Sequence, residues 1–151
     1  MSEFSFADVI RHSQKIEQES YAFYTAAEPR IDEPQLRELV KELAAAEVEH
    51  FNRLRGLLDE SRLKPEELAA TVAFEESSLD MLVPVRPLPE SGSAREILSV
   101  ALEREKNTRN LYQRLLALTN LSAELSRTFE YLVAQETGHV RKIEARLKGE
   151  Q

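Results

Sequence analysis

The sequence contains no cysteine. That absence removes disulfides, thiolate metal sites and redox-active thiols, so any bound metal must be held by nitrogen and oxygen donors. Glycine is scarce, with 4 in 151 residues. A chain short of glycine and rich in Glu, Arg, Lys and aliphatic residues favours helix. Basic residues are fewer than acidic ones, 20 against 27, for a net charge of −7, which argues against a nucleic-acid or anionic-membrane partner. No run approaches the ~18 apolar residues of a membrane span. The opening residues, Met1 to Phe6, lack the basic and apolar regions of a signal peptide. These absences lead to the expectation of a cytoplasmic protein with no membrane and no nucleic-acid partner. The length suggests one domain around a single core.

What is present is a helical period in four segments. The first runs from a cap at Ser5, with Asp8 three residues on, and carries Val9, Ile10, Ser13, Ile16, Glu17, Ser20, Tyr21, Tyr24 and Ala27 before Pro29 ends it. The second begins at Asp32 or Glu33 ahead of Pro34, with the stripe Leu36, Leu39, Val40, Leu43, Glu47, His50, Leu54 and Leu57. A capping box from Ser93 to Glu96 opens the third, with Ile97, Ala101, Glu105, Thr108, Leu111, Tyr112 and Leu115 inward. After a break at Thr119–Ser122 the fourth carries Leu125, Phe129, Leu132, Glu136, His139, Ile143 and Leu147, and Gly149 suits its stop. Between the second and third lie residues 61–92. There Pro65 can start a short helix reaching about Phe74, and Pro84, Pro87 and Pro89 impose an extended path. The reading is an all-α antiparallel four-helix bundle, two hairpins at about 6–60 and 93–148 joined by the long crossover 61–92.

Polar residues interrupt those stripes in a regular way. The chain has three histidines, and two of them, His50 and His139, follow a glutamate by three positions, Glu47 and Glu136. With 23 glutamates in 151 residues, a given His has such a partner by chance about one time in seven. On a helix, positions i and i+3 share a face, so a carboxylate oxygen and an imidazole nitrogen can reach one ion. The pattern repeats between the halves: Glu17 precedes Tyr24 as Glu105 precedes Tyr112, in phase with the Glu-x-x-His pairs. Four carboxylates in a core repel one another, and two divalent cations would remove that conflict. Oxygen-rich ligation with one imidazole per ion suits iron or manganese, with zinc a further occupant. The plainer alternatives are a Glu47/His50 pair on an exposed helix face, and Tyr24 and Tyr112 as ordinary core-edge tyrosines. His12 reads as a surface histidine, and Glu19, Glu49 and Glu103 as solvated. Gly138 permits either close approach of a neighbouring helix or an opening beside the site.

A Glu from each of two helices and Glu-x-x-His from each of the other two is the ligand pattern of ferritin-like carboxylate-bridged proteins. The sequence resembles that superfamily, and most closely its rubrerythrin-like branch. The resemblance rests on Glu17 and Tyr24, Glu47 and His50, Glu105 and Tyr112, and Glu136 and His139. It implies that Glu17, Glu47, His50, Glu105, Glu136 and His139 bind two iron ions, that a Glu of each Glu-x-x-His bridges them, and that Tyr24 and Tyr112 hydrogen-bond ligand carboxylates. It also implies oxidation of Fe²⁺ or reduction of O₂ or H₂O₂, and a homodimer or larger homo-oligomer. Two departures stand out. The cysteine-rich rubredoxin-like module is missing, so the electron donor would be external, such as a rubredoxin-like protein. Thr108 and Ser20 stand where the family's additional Glu and its counterpart would fall. Iron storage or delivery in a larger ferritin-like assembly, and a helical scaffold holding zinc, stay open as other readings.

Overall fold

In the computed structural model, which describes residues 1–59, 62–118 and 121–149, helix α1 (Phe6–Ala27) starts where the sequence offers a cap. The Asp8 amide donates to Ser5 Oγ at 3.1 Å. Pro29 sits in a single 3₁₀ turn, Glu28–Arg30, that redirects the chain. Pro34 then opens α2 (Pro34–Asp59). After the crossover, the Glu96 amide donates to Ser93 Oγ at the head of α5 (Ala94–Leu116), and the Leu125 amide to Ser122 Oγ at the head of α6 (Ala123–Leu147). Glu60, Ser61, Thr119 and Asn120, which fall at the expected hairpin edge and helix break, lie outside the described residues. Gly149 follows α6 with φ +80°, the left-handed conformation that ends a helix.

The crossover is less simple than its sequence suggests. Helix α3 (Pro65–Ala69) stops well before Phe74, and Thr71–Phe74 forms strand β2 instead. It pairs antiparallel with β1 (Ser2–Ser5), in the register Ser2 to Phe74 and Phe4 to Val72. The β-branched and aromatic residues of Thr71–Phe74 fit a pleated, half-buried strip better than another helical turn. Val72 and Phe74 point inward and their neighbours outward. A short helix α4 (Leu79–Leu82) follows and covers His12, whose side chain is 10% exposed and 4.0 Å from Asp80 Oδ1. His12 is therefore half-buried at the surface and not freely solvated. Burial, only partly offset by Asp80, lowers its pKa.

Helix directions follow from which core each end enters. One apolar cluster gathers Val9 and Ile10 of α1, Leu54 and Leu57 of α2, Leu111 and Leu115 of α5, and Leu125 and Phe129 of α6. The other gathers Phe23 and Ala27, Leu36 and Leu43, Ile97 and Ala101, and Ile143. Each hairpin is antiparallel, while α2 and α5 run the same way. The crossover must climb from one core to the other. Val72, Phe74, Leu82 and Val83 join the first cluster, and Leu88 packs on the second. On every helix, the Glu and His positions fall between its two apolar segments. The inward stripes hold nearly as read, except that Tyr21 faces out, 43% exposed, and Phe23 takes the buried place. Among the described residues no helix is long and apolar enough to cross a membrane.

Candidate metal centre

All six glutamates and histidines singled out from the sequence converge at the middle of the bundle. Glu17, Glu47, His50 and Glu136 form one group with donor atoms all within 4.8 Å of one another, and Glu47, Glu105, Glu136 and His139 form a second. Every member is buried. Glu47 and Glu136 belong to both groups, so the two Glu-x-x-His helices supply the shared carboxylates and the two single-Glu helices the unshared ones. His50 Nδ1 lies 3.4 Å from Glu17 Oε2 and 3.2 Å from Glu136 Oε1. His139 Nδ1 lies 3.8 Å from Glu105 Oε2. The two imidazole rings stack with centroids 5.8 Å apart.

The tyrosines cross between hairpins. Tyr24 on α1 donates to Glu105 Oε1 on α5 at 2.6 Å, and Tyr112 on α5 donates to Glu17 Oε1 on α1 at 2.7 Å. One oxygen of each unshared carboxylate is thereby fixed, and the other faces a histidine of the site, Glu17 Oε2 toward His50 and Glu105 Oε2 toward His139. Burial and the neighbouring carboxylates push both phenols well above their usual pKa, so they stay protonated and act as donors. Burial, together with the charges of Glu17 and Glu105, raises Glu47 and Glu136 far above an ordinary carboxyl. Burial pushes Glu105 the same way, yet the closeness of Glu136, His139 and Tyr24 outweighs it and holds Glu105 at about 2. His50 is pulled down by burial but raised on balance by Glu17.

The donor atoms pass a stringent test for metal. Seven of them have no hydrogen-bond partner among the described residues: Glu17 Oε2, Glu47 Oε1, both His50 nitrogens, both Glu136 oxygens and His139 Nδ1. Each buried polar atom left so costs about 1–3 kcal/mol, and such orphans are rare in proteins. His50 Nδ1 faces Glu17 Oε2 and Glu136 Oε1, so cations among the carboxylates would satisfy one nitrogen of each histidine and the orphaned carboxylate oxygens, while His50 Nε2 lies on the other side of its ring. The nitrogen and oxygen donor set, rich in carboxylate, fits two divalent transition-metal ions.

A family model described as rubrerythrin matches residues 8–145. The chain belongs to the rubrerythrin family. No curated protein sequence matches it. Among solved structures, it is similar to a candidate ferritin-like diiron-carboxylate protein from Thermotoga maritima, with TM-score 0.80 and 19% identity over 98% of this chain and 97% of that one. A DUF305 fragment from Deinococcus radiodurans is also similar, with TM-score 0.73 and 12% identity over 94% of each chain. Identities this low speak for the fold, which is the all-α ferritin-like bundle.

Several residues around the centre carried no signal at sequence level. Arg104 on α5 is buried at 4% exposure; its Nη2 donates to Ser20 Oγ at 3.1 Å and its Nη1 to the Arg86 carbonyl at 2.6 Å. Thr108 Oγ1 donates to the Arg104 carbonyl. Ser20 is thus tied to Arg104, and Thr108 to backbone. Tyr131 on α6 meets the His50 ring edge-on, and its hydroxyl donates to Glu49, with Arg53 3.6 Å above its ring. Glu49 is exposed, yet engaged in joining α2 to α6. An added Cβ at Gly138 would meet nothing within 4 Å, so that glycine marks open space and no tight helix crossing.

Proposed function

We propose that Glu17, Glu47, His50, Glu105, Glu136 and His139 hold two iron ions, and that the protein is an oxidoreductase acting on O₂ or H₂O₂. The observation that carries this reading is the set of buried carboxylate and imidazole atoms that lack hydrogen-bond partners and fall into two donor groups sharing Glu47 and Glu136. Two ferrous ions so held supply one electron each, so that H₂O₂ and two protons yield two waters and two ferric ions. The chain contributes the rest. Glu47 and Glu136, which belong to both donor groups, would serve both ions. Glu17 and Glu105 serve one ion each, kept in orientation by Tyr112 and Tyr24. The two core clusters keep bulk water away from the carboxylates. Ser20 and Thr108 are engaged by Arg104 and backbone, and the two donor groups found among the described residues are made of these six residues.

No cysteine is present to carry electrons to the site, so an external one-electron donor, of the rubredoxin-like kind, completes the proposal. So do a homodimeric or larger homo-oligomeric state and a cytoplasmic setting, with neither nucleic acid nor membrane as partner. Manganese or zinc would occupy the same donors without supporting the same turnover. Anaerobic Fe²⁺ titration, followed by O₂ or H₂O₂ while absorbance of the ferric product is recorded, tests the reading. The expected result is saturation at two irons per chain, lost on Glu47→Ala or Glu136→Ala. Saturation away from two, unchanged by those substitutions, sinks it. Native mass separates the role from storage, since a closed shell of many subunits supports storage and a dimer supports the oxidoreductase.

A further inference from the structure

A pocket of about 190 Å³ opens at the seam of α1 and α2. Tyr21, Val48 and Phe51 give it an apolar lining, Gln18 adds an uncharged amide, and the inaccessible carboxylates Glu17 and Glu47 are its innermost residues. Only four large apolar side chains are exposed among the described residues, and two of them, Tyr21 at 43% and Val48 at 44%, line this pocket. Scattered exposed apolar residues are ordinary. A pair flanking a pocket whose floor is two buried carboxylates is not scattered.

The internal repeat sharpens the point. Placing Glu105 on Glu17 and Glu136 on Glu47 sets Lys106 opposite Gln18, Arg109 opposite Tyr21, Thr137 opposite Val48 and Val140 opposite Phe51. The α5/α6 seam therefore has two cations and a hydroxyl where the α1/α2 seam has an amide, a phenol and an isopropyl group. Arg109 lies near enough for its charge to act on Glu136, and Lys106 sits 3.7 Å from Glu144. One seam is charged and the other is neutral and open. A hydrated ion entering the neutral seam gives up water without a charged replacement, whereas a small uncharged molecule gives up only a few hydrogen bonds, a far smaller cost.

We propose that the α1/α2 seam is the entrance by which a small, neutral peroxide reaches the metal centre, with Tyr21, Val48 and Phe51 selecting it by size. The proposal rests on the two-metal reading above. At about 190 Å³ the pocket has room for a few molecules of water size, each of which takes about 30 Å³.

Two measurements test it. In the first, anaerobically Fe²⁺-loaded protein is mixed with H₂O₂ or with bulky cumene hydroperoxide in a stopped-flow instrument, and iron oxidation is timed. Val48→Trp should slow the H₂O₂ reaction at least tenfold while two irons still bind. Phe51→Ala should raise the rate with cumene hydroperoxide relative to H₂O₂ at least fivefold. Ala45→Trp, an exposed position elsewhere on α2, should match wild type. In the second, metal-free crystals are pressurised with xenon, which should occupy the pocket in wild type and not in Val48→Trp. An unchanged H₂O₂ rate in Val48→Trp with two irons bound overturns the entrance. So does a changed native mass in that variant, since the seam would then be an interface between copies. Failure of the wild-type protein to bind two irons overturns the metal reading itself and is distinguishable from either.

Discussion

Two residues of the centre, Glu47 and Glu136, differ from the other four because both donor groups contain them. Glu47→Ala or Glu136→Ala should weaken binding of both ions, whereas Glu17→Ala should chiefly weaken one. Calorimetric titration with Fe²⁺ or Mn²⁺ reads that difference directly. The tyrosines make a second contrast. Tyr112→Phe leaves Glu17 Oε1 buried without its donor, a loss of about 1–3 kcal/mol that denaturant unfolding of the metal-free protein should record. Because Tyr24 relates to Glu105 as Tyr112 does to Glu17, Tyr24→Phe should cost a similar amount. A tyrosine serving only as core filler would show much less, because phenylalanine keeps its ring volume.

Among the elements, the part of the crossover from Pro84 to Pro89 is held by side chains from the elements beneath it, since its prolines deprive it of regular backbone pairing. Arg104 reaches the Arg86 carbonyl at 2.6 Å, Asn107 the Pro84 carbonyl at 2.7 Å, and Arg30 the Pro89 carbonyl at 2.6 Å. Arg104→Met removes the buried cation that joins the crossover to Ser20. The variant should lose about 1–3 kcal/mol and be cleaved faster between residues 84 and 89 in limited proteolysis, with the four long helices intact by circular dichroism. Arg104 also marks a limit of sequence reading. The helices, caps and six converging residues were legible because period and spacing express helix geometry directly: Ser5, Ser93 and Ser122 cap where they stand, and Glu47 and His50 interrupt an aliphatic stripe. An arginine one position before an inward glutamate reads as exposed until a crossover carbonyl is known to wait for it. Strand pairing of Ser2–Ser5 with Thr71–Phe74 was hidden for the same reason, because each partner is four residues long and its mate lies far along the chain. His12 looked exposed because α4, which covers it, is a single turn with little sequence signature.

At the scale of the molecule, the bundle sets its polar centre between two apolar cores, so folding without metal must bury carboxyl groups that prefer water. Glu47 and Glu136 meet that demand by keeping protons, their pKa values lying well above the usual value of 4.5. The native metal-free chain therefore binds more protons than the unfolded chain as pH rises above about 4.5, and its stability falls with pH by up to about 1.4 kcal/mol per unit for each such group. His50, raised above 6.5, works in the same direction: its favourable charge is present at low pH and lost as pH climbs through the folded value. Glu105, held at about 2, works the opposite way, but only in the window between about 2 and 4.5, where its stabilisation is lost as pH falls. From pH 5 to 8 the first two effects, which act on three groups at the centre, outweigh His12, whose lowered pKa adds stability as pH rises toward 6.5. The Tm of metal-free protein should fall steadily across that range, and saturation with Mn²⁺ should reverse the trend, because the ions need the ionised carboxylates that burial alone disfavours. Glu47→Gln should flatten the metal-free profile, since a neutral amide replaces the carboxyl that must stay protonated. Differential scanning calorimetry at several pH values, with and without Mn²⁺, distinguishes this from a bundle whose centre is indifferent to charge, in which the metal-free Tm would hold level and Mn²⁺ would leave it unmoved.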